Sequence, residues 1–203
     1  MSTFLIVISC VIFVIAFVDY NWGMLQGKNM PAVAAWILFT LIQVVNTLMN
    51  LSFTVEWVTV LLLATDFLIC AGTSVLILVR TQGKVSVDTR DKQIAILSVL
   101  AIVLWVVFQS SLVGVWLNQV AYCLAFIPTY RNAKRNPLNE PTRPWSFWTL
   151  AFVVDLVALS IRPTSVLLDF VAPSVCLVWH LAITVLSLRG GQNAGSGNGF
   201  TPR

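Results

Sequence analysis

Seven apolar segments, separated by short polar loops, constrain the fold of this chain more than any other feature. A helix needs about 20 mostly apolar residues to cross a bilayer. The segments are predicted at residues 3–20, 33–50, 57–80, 93–109, 113–131, 145–162 and 165–188. Charged residues make up 10% of the chain, whereas a soluble domain has about 25%. The sequence therefore predicts an all-α polytopic membrane protein with the lipid bilayer as its surroundings.

The basic residues predict the orientation of these segments. If the N-terminus lies outside, the outer loops contain only Arg162 of the twelve lysines and arginines. The inner side holds the others, which are Lys28, Arg80, Lys84, Arg90, Lys92, Arg131, Lys134, Arg135, Arg143, Arg189 and Arg203. Because basic residues in short loops stay on the cytoplasmic side, we predict a plasma (inner) membrane protein with its N-terminus outside and its C-terminus cytoplasmic. The net charge of +4 favours anionic lipid head groups over nucleic acid.

The two ends of the chain share a weak internal repeat. Trp36-x-Leu38-x4-Gln43 in the second segment has the same spacing as Trp148-x-Leu150-x4-Asp155 in the sixth, and a proline precedes each tryptophan. Chance is the alternative, because apolar stretches resemble one another. The repeat predicts a three-helix bundle at 1–80, a loop and linker helix at 81–111, and a second three-helix bundle at 112–189. An odd linker keeps the two bundles parallel, which is a known transporter plan. The glycine-rich tail at 190–203 is predicted to be disordered.

This 3+1+3 layout, the sequence FIPTY at 126–130 and the basic loop at 131–143 resemble the SWEET and PQ-loop superfamily of seven-helix transporters. Trp145-x-x-Trp148 followed by Asp155 is similar to the nicotinamide-riboside-type vitamin transporters of that superfamily. The resemblance spans residues 3–188 and implies solute transport by alternating access. The chain departs from the family pattern in having Pro128-Thr129 for the proline–glutamine pair and Asp19 at the matching proline position.

Polar side chains inside the apolar segments are the candidate site residues, because an ionisable group in the bilayer costs about 2.5–3.5 kcal/mol. Asp66 and Asp155 lie well inside their segments, Gln43 matches Asp155 in the repeat, and Asn46 lies one turn beyond Gln43. Hydrogen bonding between helices is the alternative role for these groups. Tryptophans suit a planar or sugar-like ligand. The predicted substrate-binding residues are Gln43, Asn46, Asp66, Asp155, Trp36, Trp148, Trp179 and the single histidine, His180.

A cytoplasmic gate is predicted where the first and fifth segments end. Its residues are Asp19, Tyr20, Pro128 and Tyr130. Any proton coupling is expected to use Asp66 or Asp155, with His180 secondary, because a carboxyl group can be buried as the neutral acid and ionise when the cavity opens to water. The sequence leaves open whether Asn118, Gln119, Tyr122 and Asp169 also line the pocket.

The absence of certain residues and motifs argues against a retinal-binding, nucleotide-hydrolysing, metal-dependent or hydrolase function. No lysine lies inside a segment, and the sequence has no glycine-rich phosphate loop, paired-histidine metal motif or Gly-x-Ser-x-Gly. The four cysteines all fall in apolar segments, and no pair has metal-ligand spacing. We therefore predict no enzyme activity, no cofactor and no metal. The expected function is transport of a small polar solute, such as a sugar, a nucleoside or vitamin-like compound, or an amino acid. A receptor or membrane assembly protein without solute flux is the alternative, and the sequence leaves homo-oligomer formation open.

Overall fold

The computed structural model describes residues 1–53, 57–83, 88–108, 111–163 and 167–196, and within these ranges the protein is helical, without strands. The described residues form seven α-helices, which are α1 (Ser2–Leu25), α2 (Val33–Phe53), α3 (Trp57–Arg80), α4 (Thr89–Phe108), α5 (Ser111–Arg135), α6 (Thr142–Ser160) and α7 (Val171–Ser196). Two short 3-10 turns lie at Pro137–Asn139 and Leu167–Phe170. Each predicted segment coincides with one helix, so the all-α class is confirmed.

Four of the described helices are long and apolar enough to cross a membrane. They are Ser2–Leu25, Val60–Arg80, Thr89–Phe108 and Val171–Arg189, and Val33–Leu48 is a shorter apolar helix. Large apolar side chains such as Ile96, Leu100 and Val103 are exposed on α4. An apolar helix surface of this kind is compatible with contact to lipid, where the backbone must satisfy its own hydrogen bonds.

The helices pack in a regular pattern. Helix α1 packs along α6, and α2 packs along α5, while α3 contacts both α1 and α2, and α7 contacts both α5 and α6. Helix α4 packs mainly against α5. Small side chains let α1 and α6 approach closely: the Ser9 hydroxyl donates to the Ala151 carbonyl at 3.1 Å, and Ala158 packs against Ile6 and Cys10.

The loops after α1, α3 and α5 meet at one end of the helix bundle, which we call the basic end. We define it as residues 26–32, 131–143 and the described parts of the α3–α4 connection, 80–83 and 88–92. The Asn132 side-chain amide donates to the Met30 carbonyl at 2.8 Å. Arg131 bridges Asp88 and Asp91 at 2.8 and 2.9 Å. Hydrogen bonds from the Arg90 backbone N–H and the Arg131 side chain hold the pKa of Asp88 below its usual range.

Helix α7 (Val171–Ser196) departs furthest from its predicted boundaries, 165–188. Helix α7 continues to Ser196, into the tail predicted to be disordered, while 197–203 lie outside the described residues. Extending an existing helix costs much less than nucleating one, which lets α7 run into a glycine-rich sequence. Helix α7 also begins at Val171 instead of 165. Asp169 therefore lies in the 3-10 turn before the helix.

Candidate functional site

A cavity of about 50 Å³ lies among all the helices except α4. A volume of this size holds a few water molecules. Its walls are formed by Phe13, Trp36, Phe39, Gln43, Asp66, Ile69, Cys70, Tyr122, Phe126, Trp145, Trp148, Phe152, Cys176 and His180. Five of the eight residues predicted to bind substrate are therefore brought to one cavity, namely Trp36, Gln43, Asp66, Trp148 and His180.

Aromatic rings form most of the cavity wall. The rings of Trp36 and Trp148 lie 5.8 Å apart between centroids, and each contacts Tyr20, at 5.2 and 5.3 Å. The Trp36 indole N–H donates to the Tyr20 hydroxyl at 3.2 Å, and the Trp145 indole N–H donates to Glu140 at 3.1 Å. Because these two donors are already used, Trp36 and Trp145 offer a ligand their ring carbons.

One side of the cavity is polar, and a chain of side-chain amides continues behind it. The Gln43 amide donates to the Asp66 carboxyl group at 3.4 Å, and the Asn46 amide donates to the Gln43 oxygen at 3.4 Å. The Asn118 amide in turn donates to Asn46 at 3.5 Å. Asn46 thus supports Gln43 from behind the wall, and the chain links α5 to α2 and α3. These distances lie at the long limit for hydrogen bonds.

Asp155 is buried beside the cavity but does not line it. Its side chain is 3% exposed, and it interacts with the Ser9 hydroxyl of α1. In the described part of the chain, its Oδ1 atom has no hydrogen-bond partner. Asp155 also interacts electrostatically with Asp66. The two predicted acids are therefore neighbours, with Asp66 on the cavity and Asp155 between α6 and α1.

The histidine has a defined hydrogen bond and an aromatic environment. His180 Nδ1 lies 2.7 Å from the Cys176 carbonyl oxygen. A carbonyl only accepts, so Nδ1 carries the proton and Nε2 of the neutral ring is an acceptor. Its ring contacts Trp145 at 5.1 Å and Phe152 at 4.8 Å. The neighbouring Trp179 does not line the cavity and instead stacks on Phe126 at 5.6 Å.

The predicted gate residues occupy different places. Asp19 forms an ion pair with Arg143 at 3.5 Å. Tyr20 is fully buried and its ring contacts Trp36 and Trp148. Pro128 lies inside α5, and Tyr130 packs edge-on against Trp179 at 6.1 Å. The structure thus brings Asp19 and Tyr20 against α6 and the loop before it, while Tyr130 contacts α7.

Sequence reasoning missed Glu140, which is fully buried at the basic end. Its carboxyl group accepts hydrogen bonds from the Tyr20 hydroxyl at 2.9 Å, Asn132 at 2.9 Å and Trp145 at 3.1 Å. It also accepts from the Ala32 backbone N–H. Burial raises the pKa of Glu140 to about 7 against the opposing effect of these hydrogen bonds.

Little in the sequence distinguishes Glu140 from a solvated loop residue. It lies in a polar stretch, between Asn139 and Pro141, and a charged loop residue usually faces water. The one available signal is the tryptophan five residues further on, Trp145, at the start of a predicted span. Only the return of Tyr20 and the 26–32 loop buries the carboxyl group.

The described residues contain no group of three or more histidine, cysteine, aspartate or glutamate side chains able to hold a metal ion. No protein-family model, curated protein or solved structure matches this chain. Inferences about function therefore rest on the residues of the cavity and of the basic end.

Proposed function

We propose that this protein is a membrane transporter that moves a small polar solute by alternating access, with all seven helices spanning the bilayer. The observation that carries the proposal is the cavity itself, where an acid, an amide and a histidine face a wall of aromatic rings. Sites of this composition, mostly apolar with a few convergent polar groups, are typical of small-molecule binding.

The packing pattern supports a 3+1+3 plan with α4 as the linker. If α1–α3 and α5–α7 are equivalent, a contact between α1 and α6 must have a counterpart between α5 and α2, and both contacts occur. The third helix of each group contacts the other two in the same way. Trp36 and Trp148, at matched repeat positions, meet across the cavity. This matched packing is what two equivalent three-helix groups would be expected to produce.

The polar atoms of the cavity favour a solute that donates hydrogen bonds. Asp66 offers carboxyl oxygens, and His180 offers Nε2 as an acceptor, beside ring faces suited to planar or sugar-like groups. Hydroxyl- or amine-bearing solutes such as sugars, nucleosides, vitamin-like compounds and amino acids fit this description. Space for a few waters is too little for any of them, so the two bundles must separate to admit the solute. Such separation is the movement that alternating access requires.

Purified protein in liposomes tests the proposal. A thermal-shift screen over sugars, nucleosides and amino acids identifies a solute that binds, because a ligand well above its Kd stabilises the protein by a few kcal/mol. We expect that solute to show saturable uptake, and preloading with unlabelled solute to drive counterflow of the labelled form. Saturable binding without uptake would contradict the transporter proposal and support the receptor or assembly alternative.

We also propose that the basic end is cytoplasmic, which supports a plasma-membrane protein with its N-terminus outside. In a variant lacking the native cysteines, Thr89→Cys should resist an impermeant thiol reagent added to intact cells and react once the cells are permeabilised. Pro163→Cys, in the loop after α6, is the matched control and should react in intact cells. Labelling of Thr89→Cys from outside would contradict both the orientation and the charge argument.

A further inference from the structure

Glu140 joins the two proposed three-helix bundles at the basic end of the cavity. Its carboxyl group lies in the loop before α6, and it receives hydrogen bonds from Asn132 of α5 and Trp145 of α6. From the other bundle it receives the Tyr20 hydroxyl of α1 and the Ala32 N–H just before α2. Separation of the bundles at this end must therefore break the bonds from Tyr20 and Ala32 and admit water to the carboxyl group.

The same hydrogen-bond network reaches the cavity wall. Tyr20 and Trp145 both donate to Glu140, Trp36 donates to the Tyr20 hydroxyl, and the two tryptophans form part of the cavity wall. The 26–32 loop is held against the other bundle by the bond between the Met30 N–H and the Asn139 carbonyl at 3.3 Å. Asn132 donates both to Glu140 and to the Met30 carbonyl. Glu140 is thus the centre of a hydrogen-bonded layer that lies between the cavity and the basic end.

No basic side chain of the described residues pairs with this buried acid. Within the part of the chain that the structure describes, Tyr20 is the only titratable group hydrogen-bonded to it. Of the charged groups on the elements around it, Arg143 pairs with Asp19 and Arg131 pairs with Asp88 and Asp91. The remaining cations on these elements are exposed, namely Lys28, Lys134, Arg135 and Arg189. Ionised Glu140 would therefore be a buried anion bonded to neutral donors, a state that hydration would relieve.

The sign of the coupling follows from the pKa of Glu140. Burial raises this pKa from 4.5 to about 7 in the closed arrangement, and exposure to water would return it towards 4.5. A group that binds its proton more tightly in the closed state stabilises that state at low pH, and the stabilisation is lost as pH rises from 4.5 to 7. In the protonated form the Oε2–H can donate to the Tyr20 hydroxyl, which lies 2.9 Å away.

We propose that Glu140 couples opening of the basic end to release of a proton: the end is closed while the carboxyl group is buried and protonated, and it opens as the proton leaves to water on that side. This inference rests on the proposed transport function for its biological meaning. It assigns proton coupling to a loop glutamate in addition to, or instead of, Asp66 and Asp155.

Hydrogen–deuterium exchange of the protein in lipid nanodiscs tests this coupling without any solute. The readout is the protection of the backbone amides of 26–36 and 136–142, corrected for the known pH dependence of chemical exchange. In the parent protein, we expect opening to increase by up to about 70-fold between about pH 5 and pH 8. Glu140→Gln, which is neutral at every pH, should stay protected and show no pH dependence.

Two further variants provide the controls. Asp88→Asn removes another acid at the same end whose pKa is already lowered, so the pH dependence should remain. Tyr20→Phe removes a donor that lowers the pKa of Glu140, so the upper end of the pH-dependent range should move to higher pH. Protection that is independent of pH in the parent, a pH dependence that persists in Glu140→Gln, or no shift in Tyr20→Phe would overturn the inference. Coupling without solute flux would instead contradict the proposed transport function alone.

Discussion

Trp145→Ala is expected to lower the free energy of unfolding by about 3–5 kcal/mol, the range found for truncating buried large aromatic side chains. Trp145 is 1% exposed. Its ring contacts Tyr20, Trp148 and His180, and its indole N–H donates to Glu140. The truncation leaves an unfilled volume and removes one of the hydrogen bonds to a buried acid. Denaturant unfolding in detergent micelles, followed by circular dichroism, measures the change.

Trp116→Ala is the matched control, because Trp116 is 54% exposed near the start of α5. The same change of residue there should cost less than about 1 kcal/mol, since a side chain in contact with the surroundings leaves no cavity. Trp145→Phe should fall between the two, because it keeps most of the ring volume and loses the donor. Equal losses for Trp145→Ala and Trp116→Ala would show that the aromatic cluster around Glu140 does not stabilise the fold.

Asp66→Asn is expected to reduce solute uptake at least about tenfold, which corresponds to about 1.4 kcal/mol of lost interaction. Asp66 is the acid on the cavity wall, and asparagine keeps its shape while replacing one acceptor oxygen with a donor. Initial rates of uptake into liposomes measure the change, with thermal stability recorded in parallel. Asp169→Asn, in the 3-10 turn outside α7, is the control and should leave uptake near the parent value.

Asp155→Asn distinguishes a direct role of the neighbouring acid from an indirect one. Because Asp155 lies behind the wall and interacts with Asp66, its loss should weaken uptake less than the loss of Asp66. If an aspartate couples uptake to protons, uptake into liposomes should still depend on an imposed pH gradient in His180→Ala. Normal uptake in both aspartate variants would reduce these acids to hydrogen-bonding groups between helices.

The sequence determined which segments form helices, and it predicted five of the residues that line the cavity. Long apolar runs bounded by basic loops leave the backbone no alternative to helix in a bilayer, and all seven predicted segments appear as helices. Gln43, Asp66, Trp36 and Trp148 could also be predicted. The first two are polar groups in apolar segments, and the two tryptophans are matched in the repeat.

The tertiary structure alone decided how the acids are arranged. Asp155 and Asp66 have similar sequence surroundings, yet only Asp66 lines the cavity, because side-chain direction depends on how α6 rotates against α1. Glu140 shows the largest difference between what the sequence predicts and what the tertiary structure shows. Its burial comes from a hydrogen bond to Tyr20, 120 positions earlier, and from the folding back of the 26–32 loop. Local sequence reports hydropathy and helix period, whereas the environment of a loop carboxyl group is set by chain segments that meet only when the bundle has packed.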